Sequence, residues 1–315
     1  MSNIKKVFGT SSFGGVNLNS IEKAGLVLKK LRANNINELD TAARYGRGQS
    51  EQFLGELSAH KDFFISTKAN TISQGTAKKE LLINGCEESL RKLKQDSVYI
   101  YYLHGPDRET SFEEQAAALN QLHKKRYFER LGLSNFTADE VQKFYDICKK
   151  EGYVLPSVYQ GNYNAVTRNN EQELFPVLRK LNINFYAYSP LAGGLFAKSL
   201  DELNNPKPGG RFHPESSSGP MYRRMYINET FLNALEIFQK LCQEENIKPS
   251  QAAFSWLRHH SILEEGDAII LGGSTIEQID ENLSNSTGHT LSEKIYKGLE
   301  EMWKCVADKA PNYHF

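Results

Sequence analysis

Four residues of chemically useful type fall in order along the first third of the chain: Asp40, Tyr45, Lys68 and His104. A free tyrosine hydroxyl titrates at about 10 and is a slow proton donor at neutral pH. A lysine ammonium beside it favours the phenolate and lowers that value. An aspartate paired with the lysine keeps the ammonium charged and aimed, and a histidine orients a carbonyl oxygen and shares its developing charge. Such a set suits protonation of an alkoxide formed by hydride attack. Taken singly, each residue has a plainer reading. Asp40 can cap a turn, Tyr45 is one tyrosine of 15, Lys68 can mark the solvent end of an apolar strand, and His104 can bond a turn carbonyl before Gly105-Pro106. Only a fold that gathers all four makes them one site.

The elements that must gather them are short apolar strands alternating with amphipathic helices. Strand-like runs cover residues 7–12, 36–42, 63–69, 98–104, 128–135, 157–164, 184–190 and 267–273. Helical periodicity covers 20–33, with apolar residues at 21, 24, 27, 28 and 31, and then 77–94, 111–126, 138–150, 172–181, 229–245 and 276–283. One uninterrupted series of this kind predicts a closed parallel (β/α)8 TIM barrel forming a single domain over residues 1–315, with an extra C-terminal helix at 292–308. Barrel sites form at the C-terminal ends of the strands. There the second strand offers Asp40, with Tyr45 in the next loop, the third Lys68, and the fourth His104. The fifth offers Ser134 and Asn135, the sixth Gln160, and the seventh Tyr188 and Ser189. Residues 204–219, rich in Pro, Gly and Ser, predict a long lid or binding loop after the seventh strand.

Composition narrows the partners. Lys plus Arg and Asp plus Glu are 38 each, so the formal net charge is zero, which argues against nucleic acid and against an anionic membrane surface. No apolar run approaches the roughly 20 residues of a bilayer span. No apolar stretch follows Lys5 and Lys6 as in a secretory signal, so a cytoplasmic location is expected. Cys86, Cys148, Cys242 and Cys305 lie too far apart for a metal clip and read as reduced, buried residues; no metal site is expected. His259-His260 has no second ligand cluster and reads as a core or turn pair. GRGQSE at 46–51 lacks the third glycine of a dinucleotide fingerprint, so any dinucleotide must lie across barrel loops.

At these residues the chain resembles the aldo-keto reductases almost end to end. ELDTAARYGRGQSEQFLG carries Asp40 and Tyr45, STKAN carries Lys68, and YYLHGPD carries His104. LGLSNF, VYQGNYNAVTR, FYAYSPLAGGL and LGGSTIEQIDENL are similar to the family's cofactor-binding segments. A narrower resemblance, to the aflatoxin aldehyde and succinic semialdehyde reductases, is carried by ELFPVLR, GRF, MYR and the terminal APNYHF.

The resemblance implies hydride transfer from NADPH to small aldehydes (short carboxylated, aromatic and dialdehyde compounds), with Tyr45 as proton donor beside Asp40, Lys68 and His104. It implies that Tyr188 stacks on the nicotinamide and that Ser134, Asn135 and Gln160 hold the carboxamide. Thr10, Ser11 and Asp40 would border the cofactor, and Ser189, Leu191 and Gly193 would line the pyrophosphate path. Lys198 stands where the family has a threonine-glycine-lysine step. Gly273, Ser274, Thr275, Gln278, Glu281 and Asn282 would meet the adenosine end. That loop has no lysine or arginine for a 2′-phosphate, so NADPH is expected to lead NADH by a small margin. Tyr222 with Arg211, Arg223 and Arg224 would sit near the substrate beside Tyr45 and His104. There an arginine fork, Arg224 slightly favoured over Arg223, would clamp the far carboxylate of an aldehyde acid. A homodimer would suit the resemblance. Pyridoxal or a sugar aldehyde is the alternative substrate. A cofactor-binding regulatory subunit is the alternative class, and the presence of all four candidate catalytic residues argues against it.

Overall fold

The structure is a computed structural model that describes residues 4–216 and 218–314. Eight parallel strands close into a barrel in simple chain order: β1 (Lys5–Gly9), β2 (Glu38–Asp40), β3 (Phe64–Ala69), β4 (Val98–Leu103), β5 (Phe128–Ser134), β6 (Pro156–Asn162), β7 (Asn184–Tyr188) and β8 (Ala268–Leu271). The helices α1 (Ile21–Ala33), α2 (Gln49–Glu56), α3 (Lys79–Leu93), α4 (Phe112–Lys124), α5 (Ala138–Glu151) and α6 (Asn170–Lys180) follow β1 to β6 in turn. This is the (β/α)8 architecture that the alternation predicts. Local signals set the helix ends. Ser20 caps α1 by accepting from Lys23 N, and Thr137 and Glu140 form a reciprocal capping box at α5.

The passage from β7 to β8 departs from the expected single loop and helix. It holds α7 (Leu200–Asn204), α8 (Gly219–Tyr226), α9 (Glu229–Glu244) and α10 (Pro249–His259). After β8 come α11 (Ile276–Asn285) and α12 (Glu293–Val306), the latter packed against α9 on the barrel's outside. The first strand begins and ends earlier than the sequence suggests, so Thr10 and Ser11 lie in the turn beyond it. Cys305 is exposed, which corrects the reading of four buried cysteines; Cys86, Cys148 and Cys242 are buried as expected. Its place on α12 explains this, because that helix buries only one stripe: Ile295, Leu299, Met302 and Val306.

Side chains on a strand alternate between faces. Even-numbered positions on β2 to β8 therefore share the barrel interior. Val7, Ile100, Tyr102, Val158, Tyr186, Ala268 and Ile270 pack together there as a plug. Tyr102 is its upper surface, and its ring crosses directly over Gly132, where an added Cβ would lie 2.1 Å from the ring. The same parity carries Asp40, Lys68, Ser134, Gln160 and Tyr188, so an apolar layer lies beneath the polar residues.

Candidate active site

Asp40 and Lys68 meet above this plug. Lys68 is fully buried, and its ammonium donates to Asp40 Oδ2 at 2.6 Å and to the Thr41 carbonyl at 2.9 Å. It lies 5.0 Å from the centre of the Tyr45 ring and 5.7 Å from that of Tyr102. Tyr45 opens a short 3-10 turn, Tyr45–Gly48, and its backbone N–H closes onto the Ala42 carbonyl at 3.0 Å. The His104 ring stands edge-on to that of Tyr45, with centroids 5.8 Å apart. Four residues spread over 65 positions thus form one cluster.

The electrostatics differ from expectation in one respect. Burial pushes the Tyr45 hydroxyl above its ordinary value and outweighs Lys68, whose charge and hydrogen bonding pull it down. The lysine therefore does not hold a ready-made phenolate; low dielectric disfavours the charged form more strongly. Burial also opposes the Lys68 charge, yet Asp40 and Tyr45 more than compensate and the ammonium is held charged. Burial, with Lys68 and Arg44 nearby, drives His104 well below the ordinary histidine value, so its imidazole is neutral. Neither of its ring nitrogens has a partner among the described residues, and Nδ1 is shut away from solvent.

The remaining strand ends extend this cluster across the barrel mouth. Gln160 Nε2 donates to Asp40 Oδ1 at 2.8 Å, while its own oxygen has no partner among the described residues. Asn135 donates to the His104 carbonyl at 2.8 Å and to Ser134 Oγ at 3.0 Å, and accepts from the Tyr188 hydroxyl at 2.8 Å. Asn135 and Ser189 both take left-handed backbone conformations, with φ of 64° and 54°. Thr10 is buried between the Asp40 carbonyl and Ser50, whereas Ser11 is exposed. Leu191 is buried, and Lys198 faces Glu202 at 3.9 Å. At the far end Thr275 caps α11, Ser274 binds Gln278, and Asn282 donates to the Gly272 carbonyl at 2.7 Å. Ser12 donates to the Gly273 carbonyl at 2.7 Å.

A nicotinamide dinucleotide fits this donor set. The Gln160 oxygen suits a carboxamide, the half-buried Tyr188 ring offers a flat platform, and the N-terminus of α11 suits an anion at the N–H groups that Thr275 leaves unpaired.

The family model "Aldo/keto reductase family" matches residues 7–304. The chain belongs to that family. It is 35% identical to the oxidoreductase sirO of Leptosphaeria maculans over 98% of this chain and 96% of that one. It is 39% identical to aflatoxin B1 aldehyde reductase member 2 of Rattus norvegicus, over 88% and 79% of the two chains. The human aflatoxin B1 aldehyde reductase member 2 is also 39% identical, over 88% and 80%. Membership makes this aldo/keto reductase an NAD(P)-dependent oxidoreductase of aldehydes and other carbonyls. No helix among the described residues is long and apolar enough to cross a membrane.

The loop beyond β7 separates the reductase's expected substrate arginines. Tyr222 shares a hydrogen bond of 3.0 Å with Ser189 Oγ and packs against Gly193, where a Cβ would lie 2.3 Å from the ring at a φ of 71°. Arg211 donates to the Tyr222 hydroxyl at 3.2 Å and lies over its ring at 5.1 Å. Arg223 instead reaches the Leu203 and Phe212 carbonyls at 3.5 Å and braces the loop. Arg224 is exposed. On α8 it lies two residues from Tyr222, about 200° round the helix, so it is turned away from the face that buries Tyr222 and Tyr226. Arg224, the arginine expected near the substrate, thus faces away from Tyr222, and Arg211, from the loop before α8, reaches the Tyr222 hydroxyl.

Sequence reasoning missed three further residues. Tyr226, in phase with Tyr222 at i+4, binds Asn162 and Thr167 behind it; the helical spacing was the available signal. Lys248 pairs with Glu281 at 2.6 Å from 33 positions away, and nothing local announces it. Nothing in the local sequence distinguishes Arg44, beside Tyr45, from the other exposed arginines.

Proposed function

We propose that the protein reduces small aldehydes to primary alcohols with NADPH, and that Tyr45 supplies the proton. The buried Asp40–Lys68 pair set against the Tyr45 ring carries this reading. When bound, the dinucleotide supplies a hydride to the carbonyl carbon. Tyr45 stays a protonated phenol until charge appears on the substrate oxygen, because burial keeps its hydroxyl from ionising early. As the proton leaves Tyr45, the Lys68 ammonium stabilises the phenolate left behind, and Asp40 keeps that ammonium charged and aimed. The neutral His104 donates a hydrogen bond to the carbonyl oxygen; with Nδ1 sealed off from any acceptor, Nε2 is the nitrogen suited to carry that proton.

Gln160, Ser134 and Asn135 would hold the carboxamide, Tyr188 would offer its ring to the nicotinamide, and Gly273 to Asn282 would receive the adenosine end. Thr10 and Ser11 would border the cofactor, and Ser189, Leu191, Gly193 and Lys198 would flank the pyrophosphate path. Arg211 and Tyr222 bound the substrate side. We place the enzyme in the cytoplasm as a homodimer. NADPH oxidation followed against a panel of aldehydes, with and without a distal carboxylate, tests the activity; absence of turnover on every member would refute it. Sedimentation analysis tests the dimer.

A further inference from the structure

Arg44 stands one residue before Tyr45, in a turn pinned on both sides. Tyr45 N donates to the Ala42 carbonyl at 3.0 Å, and Arg47 N donates to the Arg44 carbonyl at 3.1 Å. The Arg44 side chain is exposed and has no ion pair or hydrogen bond among the described residues. Arg32, Arg91, Arg108, Arg168 and Arg179 each hold a carboxylate, whereas Arg44, like Arg47, Arg126 and Arg224, pairs with none among the described residues. What sets Arg44 apart is its place beside Tyr45, from which its charge reaches His104 and helps keep that ring neutral.

His104 is the second observation. The residue is only 8% exposed, its ring stands edge-on to Tyr45, and Nε2, unlike the enclosed Nδ1, is the nitrogen a ligand can reach; neither has a hydrogen-bond partner among the described residues. A polar group left unsatisfied in a desolvated site costs stability unless a ligand completes it. The unsatisfied donor and the unneutralised cation therefore flank one phenol, from β4 and from the loop after β2. The loop arginines do not match this. Arg211 is already committed to Tyr222, Arg223 to backbone carbonyls, and Arg224 faces away.

We propose that Arg44 determines substrate choice by binding the distal oxyanion, carboxylate or phosphate, of an aldehyde whose carbonyl lies between Tyr45 and His104. This rests on the aldehyde reduction proposed above. A guanidinium fork matches either anion in a bidentate manner, and binding at the remote end orients the carbonyl.

The test compares Arg44→Met with Arg47→Met, which removes the same charge from an exposed position in the same loop. Succinic semialdehyde, glycolaldehyde phosphate and butanal are the substrates, and the kcat/KM ratio of each anionic aldehyde to butanal is the readout. For at least one anion the ratio should fall about ten-fold or more in Arg44→Met, the size of one charge-assisted hydrogen bond, and which anion responds identifies the natural class. In Arg47→Met it should stay within about two-fold, as expected for a screened surface charge. Unchanged ratios in Arg44→Met, or equal falls in both variants, overturn the proposal. Calorimetric titration of the NADP+-loaded protein with succinate and with inorganic phosphate gives a readout independent of turnover. If the wild type reduces no aldehyde, the proposed function fails on its own and this titration decides the role of Arg44. Anion binding lost only in Arg44→Met supports it; equal binding in all three proteins, or none in the wild type, overturns it.

Discussion

Gln160 and Asp40, 120 residues apart, share a hydrogen bond of 2.8 Å to Oδ1, while Lys68 holds Oδ2 at 2.6 Å. Both carboxylate oxygens are thus occupied from opposite sides of the barrel. Asp40 cannot turn away from Lys68 without leaving the Gln160 amide unpaired in a buried site. Two donors of the ammonium go to Asp40 and Thr41, and the remaining one is available towards Tyr45. The arrangement fixes a positive charge beside a phenol before any ligand arrives, which is preorganisation of the kind that transition-state stabilisation requires.

Tyr45→Phe should lower kcat for aldehyde reduction by about 10²–10⁴-fold, the ordinary value of general acid catalysis. NADPH affinity, read by fluorescence titration, should change little, because the ring and its packing remain. A variant with most of the wild-type turnover would remove Tyr45 from the proton-donor role.

Lys68→Met should both abolish turnover and destabilise the fold. Removing one member of a buried ion pair typically costs about 3–5 kcal/mol, since the other charge is left uncompensated. Urea unfolding of Lys68→Met, Asp40→Asn and the double variant measures the coupling. The double variant should be less destabilised than the sum of the singles; strict additivity would mean that the pair contributes nothing as a pair.

His104 gives stability a defined pH dependence. Its folded value is well below the 6.5 of an ordinary histidine, so between the two the unfolded chain binds one more proton than the native state. Stability from this group is complete above the unfolded value and declines as pH falls towards the folded one, with a slope up to about 1.4 kcal/mol per pH unit. His104→Gln should flatten the stability profile between neutral pH and pH 5 by that one proton. Identical slopes for the two proteins would show that His104 titrates normally.

The adenosine end bears on cofactor choice. Lys248 pairs with Glu281 at 2.6 Å beside the residues proposed for the adenosine, so a cation stands where the local sequence has none. Both partners are solvent-exposed and their mutual attraction is weak, which leaves Lys248 available to a 2′-phosphate. Lys248→Met should raise the Kd for NADPH several-fold, and that for NADH much less, with about 1.5–3 kcal/mol as the upper range for a hydrogen bond to a charged group. Equal effects on the two cofactors would separate Lys248 from the 2′-phosphate.

The barrel was legible because its cause is local. Strand parity and helix periodicity recur along the chain, and only closure satisfies eight such units. Asp40, Lys68 and His104 were legible for the same reason, since each ends a strand. α10 was not legible: residues 252–257 are all buried, so no polar face marks the helical period. α2 begins behind Gly46 and Gly48, both at positive φ, which hide its start. Glycine there reads as a loop, although the helix follows at once.

The sequence by itself determined which chemical groups reach the mouth of the barrel. The tertiary structure alone decided their states and partners. Whether Tyr45 sits above or below its ordinary pKa depends on the balance between desolvation and a single ammonium, and burial is a property of the packed barrel. Which way Arg223 and Arg224 face relative to Tyr222 depends on the phase of one short helix, and Arg211 meets Tyr222 only through the path of the loop before it. Lys248 reaches Glu281 only because α10 and α11 pack side by side. Each of these outcomes is a distance between residues far apart in the chain or on different faces of one helix, and spacing along the chain does not encode it.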